Sequence, residues 1–157
     1  MNEKSLGSTI LAQVAIVVRD IEEAARRYAD VFGLPVPEII TTEPGLDAAM
    51  TFKGEPSNAQ TKLAFFRLGQ VELELVQPLG GKSSWQDVLD RKGEGFHHLA
   101  FWVEDMQKSV DFLKERGILM IQRGDMGSGQ YAYFDADDRL GITLELLEQV
   151  RADRAHS

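Results

Sequence analysis

The chain contains no cysteine in its 157 residues, so it can form neither a disulfide nor a thiolate metal site. It also lacks an apolar run near the length needed to span a bilayer, so we expect no membrane segment. Basic residues are in the minority, with 17 Lys and Arg against 25 Asp and Glu, and the formal net charge is -8. This balance argues against a nucleic-acid partner or an anionic membrane surface, because the surfaces that bind them are basic.

Two further absences narrow the function. No glycine pattern matches a dinucleotide-binding or P-loop fingerprint, so the sequence offers no phosphate-binding loop. Residues 1–8 contain no basic stretch followed by an apolar run, so we expect no secretory signal and predict a cytoplasmic location. The composition is that of a globular protein, with 43% hydrophobic and 27% charged residues. The length suffices for one well-buried core or two small, closely packed modules.

The most informative feature that is present is an internal repeat. One copy covers residues 13–20 and the other residues 98–105, so each residue matches one 85 positions later. The identical positions are Ala15/Ala100, Val18/Val103 and Asp20/Asp105. Residues 73–75 and 144–146 are likewise both Leu-Glu-Leu. Each half therefore supplies one polar residue at the head of a strand and one glutamate inside a later strand.

Both halves also predict the same order of elements. The apolar, β-branched residues 10–18 are typical of a buried strand, and Asp20 and Asp105 stand where helix N-caps are expected. Later apolar runs, separated by turn signals, predict three more strands in each half. We therefore predict an α+β fold in which two tandem βαβββ modules form a mixed-sheet cleft. The expected divisions are an N-terminal extension at 1–9, the first module at 10–80, a linker helix at 81–95, the second module at 96–149 and a tail at 150–157.

Four polar residues occupy matching positions in the two halves: Gln13, Glu74, His98 and Glu145. Two similar halves tend to pack about a local two-fold axis, which would bring these four side chains to one point. Two carboxylates, one imidazole and one amide oxygen suit a divalent ion such as Zn, Ni, Co, Mn or Mg. Each residue also has a structural interpretation, since a strand histidine is more often a satisfied core group and alternating glutamates often mark a solvent face.

Two histidines are adjacent at the head of the second repeat. Strand alternation predicts that His97 and His98 point to opposite faces, so that only one of them enters the cleft. The register with Gln13 selects His98. Gln13 itself interrupts an otherwise apolar strand and therefore needs a hydrogen-bond partner or a metal.

Three segments carry a resemblance to a known family. Residues 92–101, Lys-Gly-Glu-Gly-Phe-His-His-Leu-Ala-Phe, are similar to the Gly-His-His segment of methylmalonyl-CoA epimerases. Residues 71–79 resemble the epimerase strand that ends in Pro-Leu, and residues 141–146 resemble the final metal-ligand strand. Over residues 10–148 the chain thus resembles the vicinal oxygen chelate superfamily, which includes glyoxalase I, extradiol dioxygenases and bleomycin-resistance proteins. The resemblance implies the glyoxalase/bleomycin-resistance fold and assigns the four metal ligands to Gln13, Glu74, His98 and Glu145.

The chain departs from the epimerase pattern at two places. Epimerases usually have histidine where this chain has Gln13, although some glyoxalase I enzymes use a Gln/Glu/His/Glu set. An extradiol dioxygenase is disfavoured, because that chemistry resembles a two-His, one-carboxylate iron site. The additional catalytic glutamate of the epimerases corresponds to about residues 61–63, where Lys62 is the only ionisable residue.

The resemblance predicts a divalent-metal-dependent isomerase, epimerase or glyoxalase I-like lyase of a small oxygenated metabolite. Such enzymes stabilise an enediolate or enolate on the metal while a glutamate moves the proton. Glu145 is the expected base, Glu74 is a second candidate, and Lys62 is the least favoured of the three. The alternative is a metal-independent small-molecule-binding protein of the bleomycin-resistance kind, with a cleft lined by aromatic residues. We expect a homodimer in either case.

Overall fold

The computed structural model describes residues 5–149, and the expected tail at 150–157 lies outside the described residues. The helices are α1 (Ile21–Phe32), α2 (Ser84–Lys92), α3 (Met106–Lys114) and the short α4 (Asp137–Leu140), with a 3-10 turn at Gly45–Ala48. The strands are β1 (Leu11–Val17), β2 (Ile40–Thr41), β3 (Thr51–Phe52), β4 (Glu55–Pro56), β5 (Thr61–Leu68), β6 (Val71–Pro78), β7 (Gly95–Trp102), β8 (Leu119–Asp125), β9 (Gly129–Ala136) and β10 (Ile142–Gln149).

All ten strands join one mixed sheet in the order β2-β5-β6-β1-β7-β10-β9-β8-β3-β4. At its centre β1 pairs antiparallel with β7, while each of them pairs parallel with a later strand of its own half, β6 or β10. Val14 pairs with Leu99, its own counterpart in the repeat, so a local two-fold axis passes between these two residues. The predicted α+β fold with a mixed sheet is confirmed.

Helices α1 and α3 cover one side of the sheet. Asp20 caps α1 by accepting from the backbone N–H of Glu23, and Asp105 caps α3 by accepting from that of Lys108. The side chains of β1 alternate accordingly, with Val14 and Ile16 packed in the cluster under α1 and Val17 in a cluster on the opposite side. Helix α2 joins this second cluster through its buried apolar residues, so the cleft lies on the α2 side of the sheet.

One connection crosses between the two edges of the sheet. Strand β2 stands at one edge beside β5, whereas β3 stands near the other edge and pairs with β8 of the second half. Residues 42–50, which we call the crossing segment, join β2 to β3. Gly45 anchors this segment so closely that a Cβ there would lie 2.2 Å from the carbonyl oxygen of Ser57. Within residues 5–149, no helix combines the length and the apolar character that crossing a bilayer requires.

Candidate metal centre

Three of the four expected ligands converge in the cleft. Single ligand atoms of Glu74, His98 and Glu145 lie within 4.8 Å of one another. The Nε2 atom of His98 is 2.5 Å from Oε2 of Glu145 and 3.5 Å from Oε2 of Glu74. All three residues are buried, and His98 is fully so. The arrangement would suit three ligands around a common ion.

The register of the four central strands explains this convergence. Ala15 on β1 pairs with Glu74 on one side and with His98 on the other. Ala100 on β7 pairs in the same way with Glu145 and Gln13. The four polar residues therefore surround two alanines that are fully buried. Because an alanine side chain ends at Cβ, the repeated alanines leave room above the sheet for an ion and the ligand atoms around it.

Two atoms of this cluster lack hydrogen-bond partners. They are Nε2 of His98 and Oε2 of Glu145, and among the described residues no other buried side-chain nitrogen or oxygen is left unpaired in this way. The two atoms lie within ion-pair distance of each other, but no hydrogen bond joins them. Buried polar atoms almost always have partners. A cation shared by an imidazole nitrogen and a carboxylate oxygen would satisfy both atoms, so the residues fit a divalent ion.

The electrostatics of the cluster favour a cation as well. Burial lowers the pKa of His98, but the carboxylates of Glu145 and Glu74 more than offset this and raise it to about 9. Burial raises the pKa of Glu74, against the opposing effect of His98. Burial, reinforced by Glu145 and Glu74, also raises the pKa of Tyr133. Negative charge is thus concentrated in a region with little water, and a divalent cation would neutralise it.

Gln13 lies at the edge of the same cavity. It lines the cavity together with Glu74 and Glu145, and it is half-buried. Its Nε2 donates to Oε1 of Glu72 over 3.1 Å. This hydrogen bond assigns the orientation of the amide and leaves Oε1 of Gln13 as the atom that can act as a ligand.

The prediction that His97 and His98 point to opposite faces is wrong. Ala15 pairs with His98 and Ile16 with Phe96, so His97 is an extra residue in a β-bulge. The bulge breaks the alternation of side chains. His97 is consequently buried beside its neighbour, with Nδ1 of the two rings 2.7 Å apart.

His97 connects His98 to helix α2. Its Nε2 is 3.1 Å from Oγ of Ser84, the first residue of that helix. Burial lowers the pKa of His97 well below its ordinary value, so the ring is neutral. If His98 uses Nε2 as a ligand, its Nδ1–H donates to Nδ1 of His97, whose Nε2–H then donates to Ser84. A metal-ligating histidine usually has such a partner for its other ring nitrogen.

Lys62 does not lie in the cleft. Its Nζ is 2.9 Å from Oε1 of Glu22 on α1, so its side chain extends to the helix-covered side of the sheet. Its neighbours in the chain, Thr61 and Leu63, line the cavity instead. Lys62 therefore cannot act as the base at this site.

The cavity above the cluster has a volume of about 680 Å³. Phe65, Tyr131 and Tyr133 line it, so aromatic residues contribute to the wall of the cleft. Phe66 packs instead in the cluster under α1. Trp85 of α2 also lines the cavity, and it donates from Nε1 to the hydroxyl of Tyr133 over 3.1 Å. No periodicity in the sequence indicates this role, because α2 reaches the cavity only through tertiary packing.

Comparison with known proteins identifies the family. The family model described as Glyoxalase/Bleomycin resistance protein/Dioxygenase superfamily matches residues 12–134. The chain belongs to this superfamily. The match covers β1 to most of β9 and therefore includes Gln13, Glu74 and His98.

Curated relatives extend over nearly the whole chain. An ethylmalonyl-CoA/methylmalonyl-CoA epimerase of Cereibacter sphaeroides is 31% identical over 145 residues, which cover 89% of this chain and 97% of the relative. The uncharacterised protein YqjC of Bacillus subtilis is 28% identical over 142 residues, covering 88% of this chain and 91% of the relative. Among solved structures, the methylmalonyl-CoA epimerase of Mycobacterium tuberculosis superposes with a TM-score of 0.64 at 22% identity, over 94% of this chain and 93% of the other. At that identity the superposition supports the fold alone.

Proposed function

We propose that this member of the superfamily is a divalent-metal-dependent epimerase that moves a proton at a carbon next to a carbonyl group. The observation that carries the proposal is the pair of buried, unpartnered atoms, Nε2 of His98 and Oε2 of Glu145, in a cluster completed by Glu74. Gln13 would supply a fourth ligand from the cavity edge. The relatives named as epimerases favour this reaction over others that the superfamily carries out.

The proposed chemistry divides the cluster into two roles. A bound Zn, Ni, Co, Mn or Mg ion would supply electrophilic stabilisation for negative charge that develops on two substrate oxygens. Glu145 lines the cavity, and the carboxylate oxygen that the ion leaves free would accept the proton from the substrate carbon. The hydrogen bond to His97 would fix the orientation of the His98 ring. Gln13 cannot act as a base, because an amide does not accept a proton at neutral pH.

Inversion also requires that a proton return to the opposite face of the carbon. Glu74 is the second carboxylate of the cluster, and it approaches His98 from β6 whereas Glu145 approaches from β10. A two-base epimerisation needs acid/base groups on opposite faces of the substrate carbon, so Glu74 would have to leave the ion and return the proton on the face opposite Glu145. If Glu74 stays a ligand throughout, the proton returned by Glu145 would give isomerisation or glyoxalase I-like chemistry instead.

Metal removal and solvent exchange test the proposal together. We expect EDTA to lower the Tm of the protein and a divalent ion to restore it, because an ion that binds the folded state stabilises it. The metal-loaded protein should incorporate deuterium from D2O into methylmalonyl thioesters or 2-hydroxyketones. His98→Ala should neither gain stability from the ion nor incorporate deuterium. An unchanged Tm after EDTA, with no divalent ion by elemental analysis, would contradict the proposal. Ligand binding that persists in that metal-free protein would favour the bleomycin-resistance-like alternative.

We also propose a homodimer. Val31, Phe32 and Val36 are large apolar residues at and just after the end of α1, and each exposes more than half of its surface. Sedimentation at micromolar concentration should give twice the mass of one chain, and Val31→Asp should shift the protein toward the monomer. A parent protein that sediments as a monomer would contradict this assignment.

A further inference from the structure

The charged side chains that line the cavity all carry the same sign. Glu74 and Glu145 stand at its floor, and Glu43, Asp47 and Asp125 stand at its mouth. Among the described residues, no lysine or arginine lines it. The cavity is therefore acidic from mouth to floor, which is unexpected in a family whose named members here include epimerases of CoA thioesters.

The three carboxylates at the mouth come from two segments of the chain. Glu43 and Asp47 belong to the crossing segment, and Asp125 ends β8 at the hairpin to β9. All three are exposed. None takes part in any of the ion pairs found among residues 5–149. We call these three residues the acidic rim.

The nearby arginines are directed elsewhere. Arg123 donates to Oε1 of Gln130 over 2.9 Å and lines a separate small cavity beside α3. Arg67 shares a strand face with Phe65, but it lies outside the cavity lining and stands opposite Glu72 in the strand register. Neither arginine therefore offers a cation to a ligand that occupies the cleft.

A bound divalent ion would not cancel the charge of the rim. The ion's two positive charges would balance the carboxylates of Glu74 and Glu145, while the acidic rim would keep three negative charges. The unpartnered Oε2 of Glu145, on a residue only 4% exposed, shows that the floor is built to hold a ligand. A substrate chelated at the floor must extend its remaining atoms past the rim and along the rings of Trp85 and Tyr131. Such rings attract cations and repel nearby anions.

We infer that the cleft selects substrates whose tail, beyond the chelating oxygens, is cationic or uncharged, and that it discriminates against anionic tails such as the nucleotide of a CoA thioester. This inference rests on the proposed function, because it takes the metal cluster as the point where the substrate's oxygens are held. It makes the substrate a small oxygenated metabolite bearing an amine or a neutral group.

Three hydroxamates of matched length test this charge preference. Hydroxamates bind divalent ions through two adjacent oxygens, and 6-aminohexanohydroxamate, hexanohydroxamate and adipic monohydroxamate differ mainly in the charge of the far end. Calorimetry on the metal-loaded protein should give an affinity about tenfold higher for the cationic than for the anionic compound at low ionic strength, with the neutral one between. The difference should shrink in about 0.5 M salt, because exposed charges are screened.

A matched pair of triple variants assigns the effect to the rim. Combining Glu43→Gln, Asp47→Asn and Asp125→Asn should reduce the preference to within about twofold. The control combines Glu38→Gln, Asp30→Asn and Asp138→Asn, which removes the same charge from exposed residues outside the cavity lining. The control should keep the parent's preference. An equal loss of preference in both variants would assign the effect to net charge and overturn the role of the rim.

The outcomes separate this inference from the proposed function. If the neutral hydroxamate fails to bind a protein that has taken up the ion, the ion is not open to substrate oxygens, so the proposed function fails and the inference falls with it. If all three bind but the anionic compound binds as tightly as the cationic one, the charge preference is wrong and the metal centre stands. Deuterium exchange adds a check, since methylmalonyl-N-acetylcysteamine, which lacks the nucleotide, should react with a kcat/KM at least equal to that of methylmalonyl-CoA. A clear preference for the CoA thioester would overturn the inference.

Discussion

The two halves of the cleft hold their strand-head residues by different means. Gln13 and His98 are equivalent in the repeat, and each follows an extra residue in the pairing of β1 with β7, Ala12 in one strand and His97 in the other. The bulge is thus repeated along with the strand. In the second half, however, the extra residue carries an imidazole that contacts its neighbour, whereas Ala12 has no polar atom in its side chain.

The first half uses a neighbouring strand instead. Glu72 on β6 accepts the hydrogen bond from Gln13, and the equivalent residue on β10 is Thr143, which pairs with His98 in the strand register. The difference follows from burial, since His98 is fully buried and needs a permanent acceptor, whereas the half-buried Gln13 can use water in place of a lost partner. Local symmetry therefore places the candidate ligands, and the polar residues around each of them differ according to how much water reaches it.

The largest expected effect separates the two glutamates of the cluster. Glu145→Gln keeps an oxygen ligand but removes the proposed base, so proton exchange should fall about a hundredfold or more with the fold retained. Glu74→Gln should weaken metal binding and, because Glu74 is the proposed second base, should also slow inversion of the substrate carbon. Deuterium exchange at saturating metal measures the first effect, and metal titration the second. If Glu145→Gln exchanges protons as fast as the parent, the base lies in the other half.

The next effect concerns the support of His98. His97→Ala removes the acceptor for Nδ1–H of His98 and should lower metal affinity about tenfold to a hundredfold, the range typical of such outer partners. His97→Asn places an oxygen near the position of Nδ1 and should recover most of the affinity. Competition with a fluorescent chelator measures the metal affinity of the parent and of both variants. Equal losses in both variants would mean that His97 contributes packing and not orientation.

A smaller effect is expected in the first half. Glu72→Thr removes the carboxylate that accepts from the Gln13 amide. It leaves Gln13 opposite a threonine, as His98 is opposite Thr143 in the second half. Metal affinity should fall only severalfold, because water can take the place of Glu72 at a half-buried site. Thr143→Ser is the matched change in the second half and should leave affinity unchanged. A loss as large as that of His97→Ala would erase the proposed difference between the halves.

The smallest effect appears in the pH dependence of the metal-free protein. The pKa of His98 is raised from 6.5 to about 9, so its stabilisation is fully present below pH 6.5 and is lost as the pH rises toward 9. The pKa of His97 is lowered, so its contribution has the opposite sign and is lost as the pH falls below 6.5. Urea unfolding should show that the metal-free protein loses stability as the pH rises toward 9. The metal-loaded protein should not, because the ion takes the place of the proton on His98. A metal-free protein that is equally stable at pH 6.5 and 9 would contradict the coupling of His98 to the two glutamates.

The sequence alone determined the fold class and the central geometry. The repeat fixes which residue of β7 corresponds to Gln13, and the side-chain period of two then sets which residues face the cleft. Together with a two-fold axis between the halves, these rules sufficed to predict that Glu74, His98 and Glu145 meet. The caps at Asp20 and Asp105 follow from local sequence. The period of two also predicted, wrongly, that His97 points away from the cleft. The extra residue in the strand cannot be recognised until the pairing partner of the strand is known.

The tertiary structure decided what surrounds that centre. Strand β3 pairs with β8 of the other half, which carries the crossing segment and its carboxylates from one edge of the sheet to the other. The ion pair with Glu22 keeps Lys62 on the helix-covered side, and α2 brings Trp85 into the cavity wall. These contacts join residues far apart in the chain whose local sequences carry no periodic signal. Only packing of the whole chain determines which of them meet, and so the charge and shape of the cleft could not be predicted from local patterns.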